Sequence, residues 1–499
     1  MLKYVKETFK NSAIYGLGNI SVKLVGFILI PFLTDPKYLS VNDYGALGVL
    51  EAINQILVIV MGLGLYNSMF RWFYEQKEDD RKATFFTALT VTTLMVGLIL
   101  GIVFIWQSDL TELFFSSQEY KSVLVLAFIS TGLQAVTIVP ATLMRLQDKA
   151  AFFTSSNLVK LVVTLIATLY FLLWDNGGIT AIYYGQIAGF ITYIVLIIPY
   201  LIKNSSFNIH IPVFTEMLGY GSTMMFAGIS AASVNVLDRF VLNSMSGLEE
   251  VGLYSLGYKV SSILKVFVIG SVSMALTPLI FRKINDKDSS RFYSKTMTYY
   301  GFGMMLCIIA VSLFSKEAIK FFTSSKVYWT SFSVIPILAF SLYFSALKDV
   351  VVTGLHITKK TSRISLVTAI ISCLNLGLNF LLIPFLGAEG AALASLISQS
   401  LFFIGLFYFS NKEYHIPFEW FKVILILVVG AVLVSLALLV NEYSLFIRLS
   451  IKSLALILFP FVLYPFGFYE EGEIVQIKTI WKNWRNPLRW KSNLERLFS

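Results

Sequence analysis

Residues 238–259, DRFVLNSMSGLEEVGLYSLGYK, decide the fold because they join two apolar helices through a short polar turn. An earlier stretch, residues 34–54, has the same design and reads TDPKYLSVNDYGALGVLEAIN. In both, a helix ends, the turn carries an acid, and a glycine follows two residues after it, as in Asp43-Tyr44-Gly45 and Glu250-Val251-Gly252. We call these stretches the first and second elbows. Gly45 and Gly252 are 207 positions apart, which predicts two related halves.

The composition predicts an all-α integral membrane protein. Hydrophobic residues make up 57% of the chain and charged residues only 14%, too few for the surface of a soluble protein of this size. Apolar runs of about 20 residues recur, which is the length a helix needs to cross a bilayer. The alternation expected of a membrane β-barrel is missing from the sequence. We predict about 14 spans, including a second span over 44–70, a seventh over 215–242 and an eighth over 249–281.

A second pair of similar stretches supports the repeat. GGITAIYYGQ at 177–186 and GAEGAALASLISQ at 387–399 each begin a span after a tight turn, the sixth and the twelfth. Two six-helix lobes of equal orientation follow from this, related by an axis along the membrane normal. The predicted units are an N-lobe over 1–210, a C-lobe over 211–412, spans 13 and 14 over 413–470, and a basic amphipathic cytoplasmic tail over 471–499.

Lysine and arginine predict the orientation. Most of them fall at the chain termini and in the connections on the same side, so both termini are expected to be cytoplasmic. The loop over 316–326 is a local exception, with three lysines on the predicted outer side. The same bias accounts for the net charge of +10, so nucleic acid is not an expected partner.

Polar side chains recur on single faces of the predicted spans, where they are costly unless they meet a cavity or a partner. In the first span their spacing of three, four and four residues places them on one helical face. Helix-to-helix hydrogen bonding remains an alternative for the hydroxyl and amide members. The candidate cavity residues are Ser12, Tyr15, Asn19, Lys23, Lys160, Tyr258, Ser262 and Lys265.

Three further charged residues are candidates for ion coupling: Glu51 in the second span, and Asp238 and Arg239 at the end of the seventh. A purely structural cluster is the alternative for the last two. Walls of hydroxyl, amide and ammonium groups suit an anionic, hydroxyl-rich substrate such as a phosphate with sugars. No phosphate-binding loop of the G-x-x-x-x-G-K-[ST] type occurs, so transport would draw on an H⁺, Na⁺ or substrate gradient. The three scattered histidines predict no metal site, and no cofactor is expected.

Several features together resemble a known family. They are the polar first helix, the six-plus-six repeat and the motifs Asn42-Asp43-Tyr44-Gly45, Asp238-Arg239 and Gly252-Leu253-Tyr254-Ser255. The chain resembles the Wzx-type polysaccharide and O-antigen flippases of the multidrug/oligosaccharidyl-lipid/polysaccharide exporter superfamily, whose fold is MATE-like. The resemblance implies two lobes around a V-shaped cavity with alternating access. It implies that a polyprenyl-diphosphate-linked oligosaccharide crosses the bacterial cytoplasmic (inner) membrane for O-antigen, capsule or exopolysaccharide biosynthesis, alongside a polymerase and glycosyltransferases.

Related lipid II flippases meet the diphosphate with basic residues in the first, second and eighth spans, and Lys23 and Lys265 lie in comparable spans here. The second span departs from that pattern, because it carries the acidic Glu51. The two extra spans are expected to form a groove for the lipid tail.

Two other functions are alternatives to the flippase. A multidrug cation exporter of the same superfamily would need carboxylates in the cavity, especially in the first span, which instead carries Lys23. A membrane enzyme such as a glycan polymerase or ligase would generally carry a large outer loop with catalytic residues, and the predicted outer loops are short. We therefore expect a transporter without catalytic residues.

Overall fold

The computed structural model describes residues 26–73, 78–175, 177–209, 211–234, 236–283, 286 and 288–475. This part of the chain is helical and contains no β-strand, which confirms the predicted all-α class. The α-helices are α1 (Ile30–Leu33), α2 (Val41–Gly62), α3 (Leu65–Trp72), α4 (Glu78–Ile105), α5 (Gln107–Phe115), α6 (Lys121–Leu146), α7 (Ala150–Leu173), α8 (Gly178–Asn204), α9 (Ile211–Ser233), α10 (Leu237–Ser246), α11 (Leu248–Ile263), α12 (Gly270–Arg282), α13 (Ser289–Leu313), α14 (Ser315–Phe322), α15 (Val334–Val351), α16 (Thr353–Ile357), α17 (Thr361–Glu413), α18 (Trp420–Leu438) and α19 (Leu445–Val462). A π-helix spans Leu264–Ile269, and 3-10 turns span Lys326–Phe332, Leu439–Glu442 and Tyr464–Phe466.

The described helices have the lengths that a membrane protein requires. Eleven of them, counted within the described ranges, are long and apolar enough to cross a membrane, and a bent pair raises the number to twelve. One of the eleven is the 53-residue α17, which bends at Gly387, where the sequence predicts the twelfth span to begin. The first predicted span, 11–33, lies mostly outside the described residues. The count of 14 therefore stays a prediction.

Three predicted spans are interrupted. The second consists of α2 and α3, separated by Leu63 and Gly64 in left-handed backbone conformation. The seventh consists of α9 and α10, whose axes differ by 46°. The eighth runs from α11 through the π-helix into α12. At the first break a Cβ on Gly64 would lie 2.1 Å from the carbonyl oxygen of Gly221, so the break coincides with a close contact between α3 and α9 backbones.

The two elbows pack directly against each other where α2 crosses α11. A Cβ on Gly45 would lie 1.8 Å from the carbonyl oxygen of Leu248, and a Cβ on Gly252 would lie 2.8 Å from that of Val41. Leu248 and Val41 are the first residues of their helices, so the two contacts are reciprocal. Small residues allow this approach, which is how helices associate tightly in lipid. We call this end of the helix bundle the elbow end.

The acidic side chain of each elbow accepts a hydrogen bond from a backbone N–H at the start of a helical segment. Asp43 closes a capping box at the start of α2: its carboxylate accepts the Ser40 N–H at 3.0 Å, and its own N–H donates to Ser40 Oγ at 3.1 Å. Glu250 accepts the backbone N–H of Ala388 at 2.9 Å, directly after the bend at Gly387. These bonds satisfy N–H groups that a helix start leaves unpaired. The turn acids noted in the sequence therefore act as structural anchors.

An ion pair joins the same two helices further along. Lys259 Nζ of α11 lies 3.5 Å from Glu51 Oε1 of α2, and the side chains are 17% and 39% exposed. The ammonium also lies 5.6 Å from the ring centroid of Tyr44. Pairing reduces the cost of holding both charges in the helix bundle.

The last two spans pack on one side of the bundle. Helix α18 contacts α13, and α19 contacts both. At the end opposite the elbows, Lys295 at the start of α13 lies 2.8 Å from Glu419, just before α18. The buried residues of these helices form one apolar cluster with α15 and α17. Helices α18 and α19 are thus fixed to the chain that precedes them by packing and by charge.

We predict that Gly45→Ala destabilises the protein by about 1–3 kcal/mol, the cost of overpacking a tight site. The added methyl would meet the Leu248 carbonyl, a backbone atom that cannot turn away. Gly97→Ala in α4 is the matched control, since nothing lies within 4 Å of its Cβ position. Thermal unfolding in one detergent measures both. Equal midpoints for the two variants would contradict the close crossing.

A double-mutant cycle tests the Glu51–Lys259 pair. We expect Glu51→Gln and Lys259→Gln each to lower stability, and the double variant to lose less than their sum, with a coupling of about 0.5–1 kcal/mol given the partial exposure of Glu51. The control cycle uses Lys316 and Glu442, 3.0 Å apart, because the Glu442 side chain is 89% exposed. Strict additivity at Glu51 and Lys259 would mean that the ion pair contributes nothing.

Candidate functional site

A small cavity lies where the end of α11 and the π-helix meet α15 and α17. Its volume is about 30 Å³, the space of a single water molecule. Most of its polar lining is hydroxyl, with one amide and one ammonium. The lining residues are Val234, Tyr258, Ser261, Ser262, Lys265, Leu338, Ser341, Leu342, Ser345, Ser395 and Gln399. Three of the predicted cavity residues, Tyr258, Ser262 and Lys265, are therefore brought together.

Lys265 is the charged group of this cavity. It lies in the π-helix Leu264–Ile269, and its carbonyl accepts the backbone N–H of Gly270, five residues on. Such segments often occur at functional sites, because the extra residue per turn shifts the side chains that follow. The Lys265 side chain is exposed, and within the described residues it makes no hydrogen bond or ion pair. Its ammonium is thus available to an anion.

Two further charged groups, Lys348 and Asp349 of α15, lie near the helix that continues from Lys265. Ser273 Oγ donates to Asp349 Oδ2 of α15 at 3.2 Å. The neighbouring Lys348 ammonium lies 4.8 Å from the ring centroid of Phe402 in α17. Lys265 is close enough to interact electrostatically with both Lys348 and Asp349. The polar wall that begins at the cavity therefore continues toward the end opposite the elbows.

Asp238 and Arg239 lie behind Tyr258, at the start of α10. Both are almost fully buried, at 0% and 2% exposure. Tyr254 OH donates to Asp238 Oδ2, and the backbone N–H of Arg239 donates to Asp238 Oδ1 at 2.8 Å. The Arg239 guanidinium lies 4.8 Å from the ring centroid of Tyr258. Its Nε and Nη1 groups have no hydrogen-bond partner in the described part of the chain.

These orphaned donors matter because a buried guanidinium N–H without an acceptor is costly. Tyr258 links them to the cavity, because its ring centroid lies 4.8 Å from the Arg239 guanidinium and the residue also lines the cavity. Arg239 and Lys265 thus place two positive groups around one tyrosine. The two groups can attract an anion to the cavity.

The remaining predicted site residues lie elsewhere. Lys160 of α7 is held between α7 and α8, with its ammonium 5.0 Å from the Phe190 ring centroid and 5.4 Å from that of Tyr193. It is not among the residues that line the cavity. Glu51 pairs with Lys259 at the elbow crossing. Ser12, Tyr15, Asn19 and Lys23 lie outside the described residues.

The sequence prediction omitted several lining residues. Ser341 and Ser345 stand four positions apart on α15, and Ser395 and Gln399 stand four apart on α17. That spacing places each pair on one helix face. The same periodicity test that found the stripe of the first span would have found both pairs. Isolated serines within apolar helices are common, so a single serine does not by itself indicate a cavity.

Comparison with known proteins gives the family. A family model described as "Polysaccharide biosynthesis protein" matches residues 8–284, and a model described as MatE matches residues 223–381. An uncharacterized membrane protein of Haemophilus influenzae is 25% identical over 285 residues, which are 56% of this chain and 66% of that protein. The capsular polysaccharide biosynthesis protein CapF of Staphylococcus aureus is 28% identical over 216 residues, 41% of this chain and 52% of CapF. The matched segments thus span two thirds or less of these relatives.

Among solved structures, the lipid II flippase MurJ in an inward closed conformation has the same fold. Its TM-score is 0.73 at 15% identity, and the match covers 92% of this chain and 100% of that one. At this identity the likeness shows the fold alone, and it confirms the predicted MATE-like architecture. The predicted resemblance to the polysaccharide flippases is likewise confirmed, because the first family model covers more than half of the sequence. The chain belongs to the polysaccharide biosynthesis protein family.

Proposed function

We propose that this chain is a flippase that moves a polyprenyl-diphosphate-linked oligosaccharide across the bacterial cytoplasmic membrane by alternating access. The observation that carries the proposal is the Lys265 ammonium in a serine-lined cavity, with the unpaired Arg239 donors behind Tyr258. Cationic donors suit a diphosphate, and hydroxyl and amide groups suit the sugars attached to it. Membership of the polysaccharide biosynthesis family and the names of MurJ and CapF support this substrate class.

In this proposal residues 1–210 and 211–412 act as two lobes, and residues 413–470 flank them. The present cavity of about 30 Å³ is far smaller than a glycosylated diphosphate. The lobes must therefore separate to admit the substrate, which is what alternating access supplies. Lys23, Asn19, Tyr15 and Ser12 of the first span are proposed to face Lys265 from the other lobe. We also propose that both termini are cytoplasmic and that a polymerase and glycosyltransferases are partner proteins.

A multidrug exporter is the second candidate, because the MatE model matches residues 223–381. An organic cation would need a free carboxylate, and the described acids near the cavity already have partners. Asp238 is held by Tyr254, Asp349 by Ser273, and Glu51 by Lys259. Overexpression without any gain in drug resistance would count against this candidate.

The Lys265 ammonium is expected to be essential for transport. Lys265→Gln should reduce surface glycan about tenfold or more, the effect of losing one charge-assisted hydrogen bond. Lys265→Arg keeps the charge and is the matched control, expected to retain most of the glycan. Lys23→Ala with Lys265→Ala should abolish the glycan. Surface glycan is measured by antibody staining, and membrane protein level is measured in parallel. Normal glycan in the double variant would refute the assignment.

We propose Asp238 as the ion-coupling carboxylate, since Glu51 is committed to Lys259. Asp238 is fully buried beside Arg239, so its charge must be balanced inside the protein. In proteoliposomes, an imposed H⁺ or Na⁺ gradient is expected to accelerate flux in the natural protein and not in Asp238→Asn. Asp349→Asn is the comparison variant and should retain the acceleration. Gradient-independent flux in the natural protein would remove the coupling.

A further inference from the structure

A basic cluster lies at the elbow end but away from the elbow crossing, where α14 and the start of α19 meet. It includes part of the 316–326 loop that broke the predicted charge bias. Its cations are Lys316, Lys320, Arg448 and Lys452, and its acids are Glu317 and Glu442. The cations outnumber the acids, although the helices around them are apolar.

Glu317 is shared by two buried cations. Its two carboxylate oxygens accept from Lys452 Nζ at 3.0 and 2.9 Å, and one of them also accepts from Arg448 Nε. Lys452 is fully buried and Arg448 is 7% exposed. One carboxylate cannot neutralise two cations, so a net positive charge remains in a poorly hydrated setting. Such a charge is costly unless an anion approaches it.

The neighbouring charges do not remove this excess. Lys316 and Glu442 form their own pair at 3.0 Å, which is balanced. Lys320 makes no ion pair in the described part of the chain, and its ammonium lies 4.3 Å from the ring centroid of Trp329. Lys320 therefore adds a second uncompensated charge beside Arg448.

A pocket of about 500 Å³ opens at this excess charge, lined by Glu317, Lys320, Phe321, Leu445 and Arg448. Its volume is within the range of small-ligand sites. Arg448 donates a hydrogen bond from Nε to the Glu317 carboxylate and one from Nη1 to the carbonyl oxygen of Asn441. A guanidinium has five N–H donors, so Nη2 remains available to an incoming anion.

The rim of the pocket is apolar and exposed. Phe321 is 83% exposed, Leu445 59%, and Phe446 beside it 81%. Aromatic and aliphatic side chains at the end of membrane helices lie at the boundary between hydrocarbon and headgroups. A ligand in this position would need an apolar part that contacts the exposed apolar side chains and an anionic part that contacts the cations. A phospholipid has that construction, and free phosphate does not.

We propose that this pocket binds the phosphate headgroup of an anionic phospholipid. The phosphate lies between Lys320 and Arg448 and balances the charge left by the Glu317 cluster. The acyl chains run along Phe321 and Leu445. The site is separate from the Lys265 cavity and does not depend on the proposed transport function.

The test is a thermal-unfolding titration of the purified full chain with dioctanoyl phosphatidylglycerol, with dioctanoyl phosphatidylcholine and inorganic phosphate in parallel. We expect saturable stabilisation by phosphatidylglycerol alone. Lys320→Gln should weaken its apparent affinity about fivefold, the effect of one lysine at an anionic lipid surface. Lys320 is exposed, so this variant should unfold normally without lipid.

Lys326→Gln is the matched control. Lys326 lies in the same loop, 5.8 Å from the same Trp329 ring, but does not line the pocket. It is expected to bind phosphatidylglycerol like the natural protein. Equal weakening in both variants would reduce the effect to general surface charge and overturn the site. Equal stabilisation by phosphatidylcholine, or full stabilisation by inorganic phosphate, would also overturn it.

Discussion

Backbone contact at the elbow crossing positions the rest of the helix bundle. Leu248 and Val41 place their carbonyl oxygens where Gly45 and Gly252 lack a side chain. Lipid supplies little hydrophobic force between helices, so association depends on such close approach and on polar contacts. The crossing fixes both the axis and the rotation of α11. It thereby sets the direction of Tyr258, Lys259 and Ser262 on α11, and of Lys265 in the π-helix that continues it.

The charged side chains near this crossing are of two kinds, those with a partner and those without one in the described residues. Asp238 is held by Tyr254, two residues beyond Gly252 of the crossing, and Lys259 is neutralised by Glu51 further along α11. Lys265, one turn and a half beyond Lys259, makes no such pair in the described residues. Charge within a membrane is kept where it has a partner or a task. Lys259 and Glu51 stabilise the contact between α2 and α11, whereas the Lys265 ammonium is unpaired within the described residues.

Much of the fold could be predicted from the sequence because the membrane imposes a simple rule on helix length. The elbows were visible since a polar turn with an acid and a glycine contrasts with apolar surroundings. The break at Leu63 and Gly64 was missed, and its cause is tertiary: the α9 backbone approaches at Gly221. The π-helix at Lys265 likewise leaves no trace in hydropathy.

The candidate site was predicted less completely, and Lys160 shows why. Helical periodicity tells which side chains share a face, but it does not tell which neighbour that face meets. Lys160 shares a polar face of α7, yet the neighbour is α8 with Phe190 and Tyr193. The tyrosines of the second elbow were recognised as a motif, while their contacts with Asp238 and Arg239 depend on how α10 folds back. Partners across helices are set by packing, which one sequence does not reveal.

The interruptions of the helices bear on how such a molecule could move. The second predicted span is held on both sides of its break: α2 contacts α11 through Gly45, and Ser68 Oγ of α3 donates to the Met217 carbonyl of α9 at 2.7 Å. Alternating access would require one of these two helix contacts to open while the other stays closed. If the second span were one rigid helix, movement at one contact would be transmitted along it and would strain the other contact. The left-handed break between α2 and α3, and the 46° bend between α9 and α10, separate the two contacts into segments that can rotate independently. These interruptions, which hydropathy does not show, thus lie between the two contacts.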